Sequence, residues 1–378
     1  MLALAALAAV RFGLTLSLGA EYDTNANRAE VVAGAESPDH ALDSFVIRST
    51  IYADFAWRSG NNVLSLAGNI GGKLYTDLNV FDQNVLAGQI ALQDRVRVTR
   101  FLHIAALGDY YDASQMDYPP YRHRDFRTGT ARARLYFIDR LGEVWLTGGY
   151  RGLQYKPDPY FNFDAGQANA FAITRLHFGA NDDHELDIAG SYQIERRFFS
   201  GVVQEFQQDN NPDPLKLCAY GHEILERCLV AGAALRRDWY HEAGFEVTYV
   251  GPLLVGAGYG VQLNTSNSFG QSLLRHVVTL KLGYRFPWNL YATVKAQIWV
   301  TRYLDPVLLD RAINTSNLVP IEDENRPSVI VDLERPIGRS GVAVNARYSV
   351  YTNEISPSPV SFLRQVVYFG LTYRVGAR

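Results

Sequence analysis

The chain has 378 residues, with 36 Lys and Arg against 39 Asp and Glu, for a formal net charge of −3. This balance offers no basic field for a polyanion such as nucleic acid, and no nucleic-acid partner is expected. No run of about 18 apolar residues occurs, which excludes transmembrane helices, while 23 Tyr and 19 Phe beside two Met and two Cys suit strands and membrane interfaces.

Residues 1–10 are apolar and end in small side chains, as a secretory signal does, but lack the basic opening of one. They are set apart as a signal-like or periplasmic helical stub, and 11–378 as one domain. From there the side chains alternate between apolar and polar, the period of a strand. The strands read over 11–24, 45–58, 62–76, 84–98, 101–113, 126–138, 143–155, 167–180, 184–198, 236–250, 253–264, 273–286, 289–303, 327–336, 341–354 and 361–375. The links alternate strictly. Short ones fall after strands ending near Arg58, Val98, Ile138, Ala180, Val250, Phe286 and Pro336, mostly on Gly, Pro, Asn or Asp that make tight reversals. Long ones include 25–44, 114–125, 156–166, 199–235 and 304–326, and 199–235 leaves room for a further hairpin. Strands of this length exceed the soluble norm, and a soluble sandwich gives no reason for alternating links. The expected fold is all-β: a transmembrane antiparallel up-and-down β-barrel of about 16 strands in the bacterial outer membrane, with short periplasmic turns and long extracellular loops.

Parity divides the faces. In 273–286, Leu274, Val278, Leu280, Leu282, Tyr284 and Phe286 oppose Arg275, Thr279, Lys281 and Arg285. A charge at the lipid midplane costs about 2–4 kcal/mol, so the polar set turns inward. The same rule assigns Arg48, Lys73, Arg95, Arg97, Arg132, Arg134, Arg151, Arg175, Arg197, Arg275, Lys281, Arg285, Lys295 and Arg347 to a pore-lining wall. With them go Asp54, Asp109, Asp187, Glu195, Glu242, Glu246, Asp332 and Glu334. The basic excess either attracts anionic cargo or pairs with the acids across strands to stiffen the wall. Inward Tyr52, Tyr75, Tyr111, Tyr136 and Tyr351 are stacking surfaces or rim residues. Asp94 and His276 carry the lipid-facing parity and are expected near a strand end or at a bulge.

Catalytic signals are weak: His123 beside Asp125 sits in a polar loop, His184 lies on the short-turn side, and no nucleophile elbow, phosphate loop or metal cluster is present. No enzyme activity, metal or cofactor is expected. Cys218 and Cys228 have a spacing that permits a disulfide, which an oxidising compartment favours; two free thiols are the alternative, and a zinc site lacks ligands with only His222 nearby.

The segment Gly19-Ala-Glu-Tyr-Asp-Thr-Asn-Ala-Asn-Arg28 resembles the Gly-x-x-Tyr-Asp-Ser/Thr-Asn opening of outer-membrane barrels linked to periplasmic tetratricopeptide repeats. These are the surface lipoprotein assembly modifiers and the exopolysaccharide-export porins. The resemblance implies passage of a large cargo, a polysaccharide or a surface protein. The leading expectation is therefore an export conduit working with periplasmic partners and embedded among outer-membrane lipid and lipopolysaccharide, constricted by 199–235 and 304–326 folded inward. The alternatives are a general or anion-preferring diffusion porin, and a structural anchor for a surface machine.

Overall fold

In the computed structural model, sequence alternation becomes alternation of side chains across a closed wall. Residues 9–26, 31–32, 41–115, 126–156, 159–179, 183–208, 218–219, 227–269, 271–304, 327–353, 355 and 360–376 are described. Sixteen strands span the wall: β1 Ala9–Asp23, β2 Ser44–Ser59, β3 Asn62–Tyr75, β4 Val85–Arg97, β5 Leu102–Gln115, β6 Phe126–Asp139, β7 Gly142–Tyr155, β8 Phe163–Phe178, β9 His184–Gln208, β10 Arg227–Val250, β11 Leu253–Ser266, β12 Leu273–Arg285, β13 Tyr291–Tyr303, β14 Ser328–Pro336, β15 Val342–Thr352 and β16 Leu363–Gly376. A seventeenth strand of the same sheet, Cys218–Ala219, is a two-residue appendage on β10. Each strand pairs antiparallel with its sequence neighbours. β1 closes the ring on β16, from Gly13↔Gly376 to Asp23↔Val366.

The tight reversals have a clear local cause. Ser59 pairs with Asn62 across a turn in which Gly60 takes φ +56°, a conformation open to glycine without strain. Gly338 and Gly341 do the same between β14 and β15. All short turns fall at one end, called here the turn end, and all longer connections at the other, the loop end.

The outer face is apolar. Leu18, Ile47, Ile70, Ile90, Phe245, Leu280 and Phe369 all point away from the barrel, and Phe369 is 63 % exposed. A monomer in water does not present a continuous apolar belt of this kind. Two aromatic girdles bound it: Phe12, Phe101, Phe137, Phe178 and Phe286 toward the turn end, and Tyr22, Phe45, Tyr110, Tyr150, Tyr192, Trp239, Tyr259 and Tyr348 toward the loop end. A strand of 14 residues such as β3, at about 3.3 Å per residue and tilted about 40°, rises about 35 Å, more than the apolar band of about 25 Å. The chain is an outer-membrane β-barrel. No helix among the described residues is long and apolar enough to cross a membrane.

Three expectations need correction or completion. The described parts of 199–235 are not loop: β9 and β10, of 25 and 24 residues, stay paired as a ribbon as far as Gln208 and Arg227, with register irregularities between Phe198 and Gln204. β8 begins at Phe163, earlier than read, because Pro159–Phe161 forms one short 3-10 turn that leads directly into it. β14 is short, nine residues. Above Gln297 its place beside β13 is taken by Ile355, whose backbone exchanges hydrogen bonds with Trp299 and Thr301. Residues 1–8, the loop carrying His123 and Asp125, His222 and the segment 305–326 lie outside the described residues, and with them the signal-or-stub reading and the second expected constriction.

Candidate functional site

The polar parity faces the concave side of the wall. Several ion pairs skip a strand: Glu21 on β1 with Lys73 on β3, Arg151 on β7 with Glu195 on β9, Glu334 on β14 with Arg374 on β16. Such reach is natural across a concave surface and awkward across a convex one.

The loop-end half of this wall is a lattice of buried ion pairs. Glu21 accepts from Arg48 Nη1 at 2.8 Å and lies 3.2 Å from Lys73 Nζ. Asp23 takes a forked contact from Arg364 at 2.6 to 3.0 Å, with the Tyr75 hydroxyl at 3.5 Å. Glu195 accepts from Arg151, Arg197 and Gln193 at 3.1, 2.9 and 2.8 Å. Asp238 accepts from Arg236, Ser266 and Asn264. Aromatic faces cover the guanidinium groups: Phe199 over Arg236 at 4.0 Å, Tyr240 over Arg197 at 4.4 Å, Trp299 over Arg275 at 4.6 Å. Every charge in this lattice has a partner of opposite sign or a π face, which is how buried ions are tolerated.

This lattice gives the described part of the Gly19–Arg28 segment, Gly19 to Ala26, a physical role. Glu21 and Asp23 are two of the buried carboxylates. Asn25 donates from its backbone to Asp23 at 3.1 Å and from its side chain to the Leu363 carbonyl at 3.2 Å. Gly19 leaves room for the Tyr368 ring, where any Cβ would collide with it. The motif builds the seam between the first and last strands.

Deeper in, the wall is looser and more basic. Arg132 and Thr130 donate to Asp109. Arg134 donates to Thr147 at 2.8 Å and lies over Trp145 at 5.1 Å, whose other face stacks on Phe171 at 3.8 Å. Arg347 pairs with Asp332 at 2.5 Å, Lys281 with Glu246 at 2.7 Å and Arg175 with Glu143 at 3.1 Å. A 490 Å³ recess, rimmed by Arg48, Arg347, Arg374, Asp332, Glu334 and Tyr368, opens on the β14–β16 side.

The fourteen basic residues assigned inward all carry the inner-face parity, but they divide into two groups that parity alone does not separate. Arg48, Lys73, Arg132, Arg151, Arg175, Arg197, Lys281 and Arg347 hold carboxylates, and Arg275 is buried against Trp299 and Thr301. Arg95, Arg97, Arg134, Arg285 and Lys295 have no carboxylate partner among the described residues; Arg97 and Arg285 donate to Asn61 and Asn289 instead. The inward set also includes Arg11, Arg58, Arg236, Arg364 and Arg374, which sequence reasoning passed over although the parity that places Glu242 inward also places Arg236. Of the inward tyrosines, Tyr75, Tyr111, Tyr136 and Tyr351 are buried in the wall and offer no free stacking face, and Tyr52 is exposed. Asp94 and His276 do face outward near strand ends. The register through His276 has no bulge, and its Nδ1 meets the Tyr259 hydroxyl at 2.6 Å. Cys218 and Cys228 are direct cross-strand partners in the backbone register; their side chains are outside the described residues.

No protein-family model matches the sequence, and no curated protein does. Solved structures similar to it include Pseudomonas aeruginosa OccK9 (OpdG), 9 % identical, with 97 % of this chain and 98 % of that one covered and a TM-score of 0.49. Another is OccK1 (OpdK) of the same organism, 10 % identical, with 97 % and 99 % covered and a TM-score of 0.47. A third is a bacterial polysaccharide outer membrane secretin, 10 % identical, with 96 % and 98 % covered and a TM-score of 0.40. Similarities at this level say nothing of what crosses the barrel.

Proposed function

We propose that the chain is a diffusion channel that prefers anionic solutes, and that it is not an enzyme. One observation carries this reading: on the inner wall, cations lacking a carboxylate partner outnumber carboxylates lacking a cation. Among the described residues the first group is Arg11, Arg58, Arg95, Arg97, Arg134, Arg285 and Lys295, and the second is Asp54, Glu242 and Glu185, whose partner His177 is a cation only when protonated. Paired charges stiffen the wall and cancel at a distance; only the unpaired remainder sets the field a passing ion meets. A sixteen-strand barrel is wide enough to hold water along its axis.

The test is the reversal potential of single channels under a salt gradient. Replacing Arg95, Arg134, Arg285 and Lys295 by Gln should move the wild-type anion preference toward zero or reverse it. The pair D109N/R132Q removes a cation together with the carboxylate it holds, leaves the net wall charge unchanged, and should change selectivity far less. Equal effects from both sets would sink the assignment. An export conduit for a large cargo, with periplasmic partners, is the second reading and draws its support from the Gly19–Arg28 resemblance; a pore that conducts only when such a partner is added would favour it. Outside the barrel, we propose that lipopolysaccharide packs against the loop-end girdle, where outward Arg196 lies over Trp239 at 4.4 Å.

A further inference from the structure

The turn-end mouth is not electrically symmetric. Elsewhere on its rim basic groups meet acids, Arg175 with Glu143, the His177 ring with Glu185 at 3.0 Å and Arg374 with Glu334 at 2.8 Å, and Arg285 stands alone with Asn289. From β1 to β5 this compensation stops. Arg11, Arg58, Arg95, Arg97 and His103 surround a 360 Å³ recess, and no carboxylate among the described residues lines it. The register holds them together: Ala9 stands opposite Arg58, Val63 opposite Arg95, and Arg97 opposite His103. The nearest inward acid on these strands, Asp54, lies four positions deeper than Arg58 on β2 and is not part of the lining.

Like charges gathered without a counter-charge repel one another, and a fold has no structural use for the arrangement. In the loop-end lattice the same residue type is neutralised by Glu21, Asp23, Glu195 or Asp238. The recess also holds an unsatisfied donor or acceptor: His103 Nδ1 is shielded and has no hydrogen-bond partner among the described residues. Arg97 Nη2, by contrast, is held by Asn61 Oδ1 at 3.0 Å, which aims its guanidinium without neutralising it. The volume lies in the range of small-molecule sites, and guanidinium forks match oxyanion geometry two bonds at a time.

We propose that this recess is a binding site for a soluble multivalent oxyanion, of which a diphosphate is the simplest example, held at the turn-end mouth. The proposal rests on the anion-channel reading for its purpose, since a site there concentrates anions at one end of the path. Its test does not need conduction. Full-length protein in a non-ionic detergent is dialysed to equilibrium against radiolabelled pyrophosphate in a buffer free of divalent cations. The expected result is saturable binding of one pyrophosphate per chain, weakened at least tenfold by R58Q/R97Q. The variant R140Q/R339Q removes equal charge from turns at the same end and should bind as wild type does. Heat-modifiable gel migration checks that each barrel is folded; should R58Q/R97Q fail that check, R58K/R97K, which keeps the charge and loses the fork, is expected to bind several-fold more weakly. Absence of saturable binding to the wild type, or unchanged binding in R58Q/R97Q, overturns the proposal, as does an equal loss in R140Q/R339Q. A pore without anion preference would show separately in the reversal potential and would remove the channel reading while leaving the binding result intact.

Discussion

Removal of one carboxylate, Glu195, tests whether the loop-end lattice is a structural necessity. Its side chain is fully buried and joins Arg151 and Arg197, themselves 6 % and 4 % exposed. Glu195→Ala removes three hydrogen bonds, two of them charged, at 3.1, 2.9 and 2.8 Å. All three end on the carboxylate, so at about 1.5–3 kcal/mol for each bond to a charged group the separate contributions would total about 4.5–9 kcal/mol. They share one carboxylate and are not additive. Breaking a buried pair by deleting one partner typically costs about 3–5 kcal/mol, and we expect a loss in that range. Glu195→Gln keeps an acceptor and drops the charge, so it should lose less. The triple variant E195M/R151M/R197L replaces all three charges by apolar side chains of similar volume and should recover most of the loss, because the desolvation penalty disappears with the ions. The assay is urea-driven unfolding in phosphatidylcholine vesicles, followed by tryptophan fluorescence and gel migration. A loss below about 1 kcal/mol for Glu195→Ala, the value of a solvent-exposed pair, would refute the reasoning.

Three other outcomes are expected. Leu280→Arg, on the lipid face of β12, should destabilise by about 2–4 kcal/mol, while Thr279→Arg, one residue away and facing inward, should be tolerated; equal losses in the same unfolding assay would contradict the assigned faces. Gly19→Ala places a methyl against the Tyr368 ring and should cost about 1–3 kcal/mol by overpacking, with the double variant G19A/Y368V recovering part of it. Cys218 and Cys228 should form a disulfide in protein prepared from an oxidising envelope, visible as a 2 Da mass difference on reduction, since disulfide formation removes two hydrogens; two alkylatable thiols in unreduced protein would exclude it.

The strands were legible in the sequence because lipid and water impose opposite demands on alternate residues, and a slip of one position would place Arg134 or Lys281 in lipid. The ends of β9 and β10 were not. Beyond the bilayer lipid no longer enforces a two-faced pattern, and the stretch Gln204-Glu205-Phe206-Gln207-Gln208 carries no alternation to read. Parity also placed the cations inward without separating working charge from structural charge. Arg132 and Arg134 are equivalent by that rule. What divides them is that Asp109 on the neighbouring strand falls within reach of one and not the other, a matter of stagger between strands that no single stretch of sequence contains. The recess at the turn end was missed for a related reason: Arg11 and Arg58 sit at the outer ends of β1 and β2, and only the pairing register of those two strands makes them neighbours.

The join between β1 and β16 has a kinetic consequence. Asp23 and Arg364, 341 positions apart, meet only after every intervening strand has been laid down, and Ser17 and Thr372 meet there at 3.0 Å under the same condition. Loop-closure entropy opposes such remote contacts until the rest of the wall is in place. The circle therefore completes late and all at once, and a nascent chain interrupted before Arg364 keeps two raw edges, each a ready template for a stray strand.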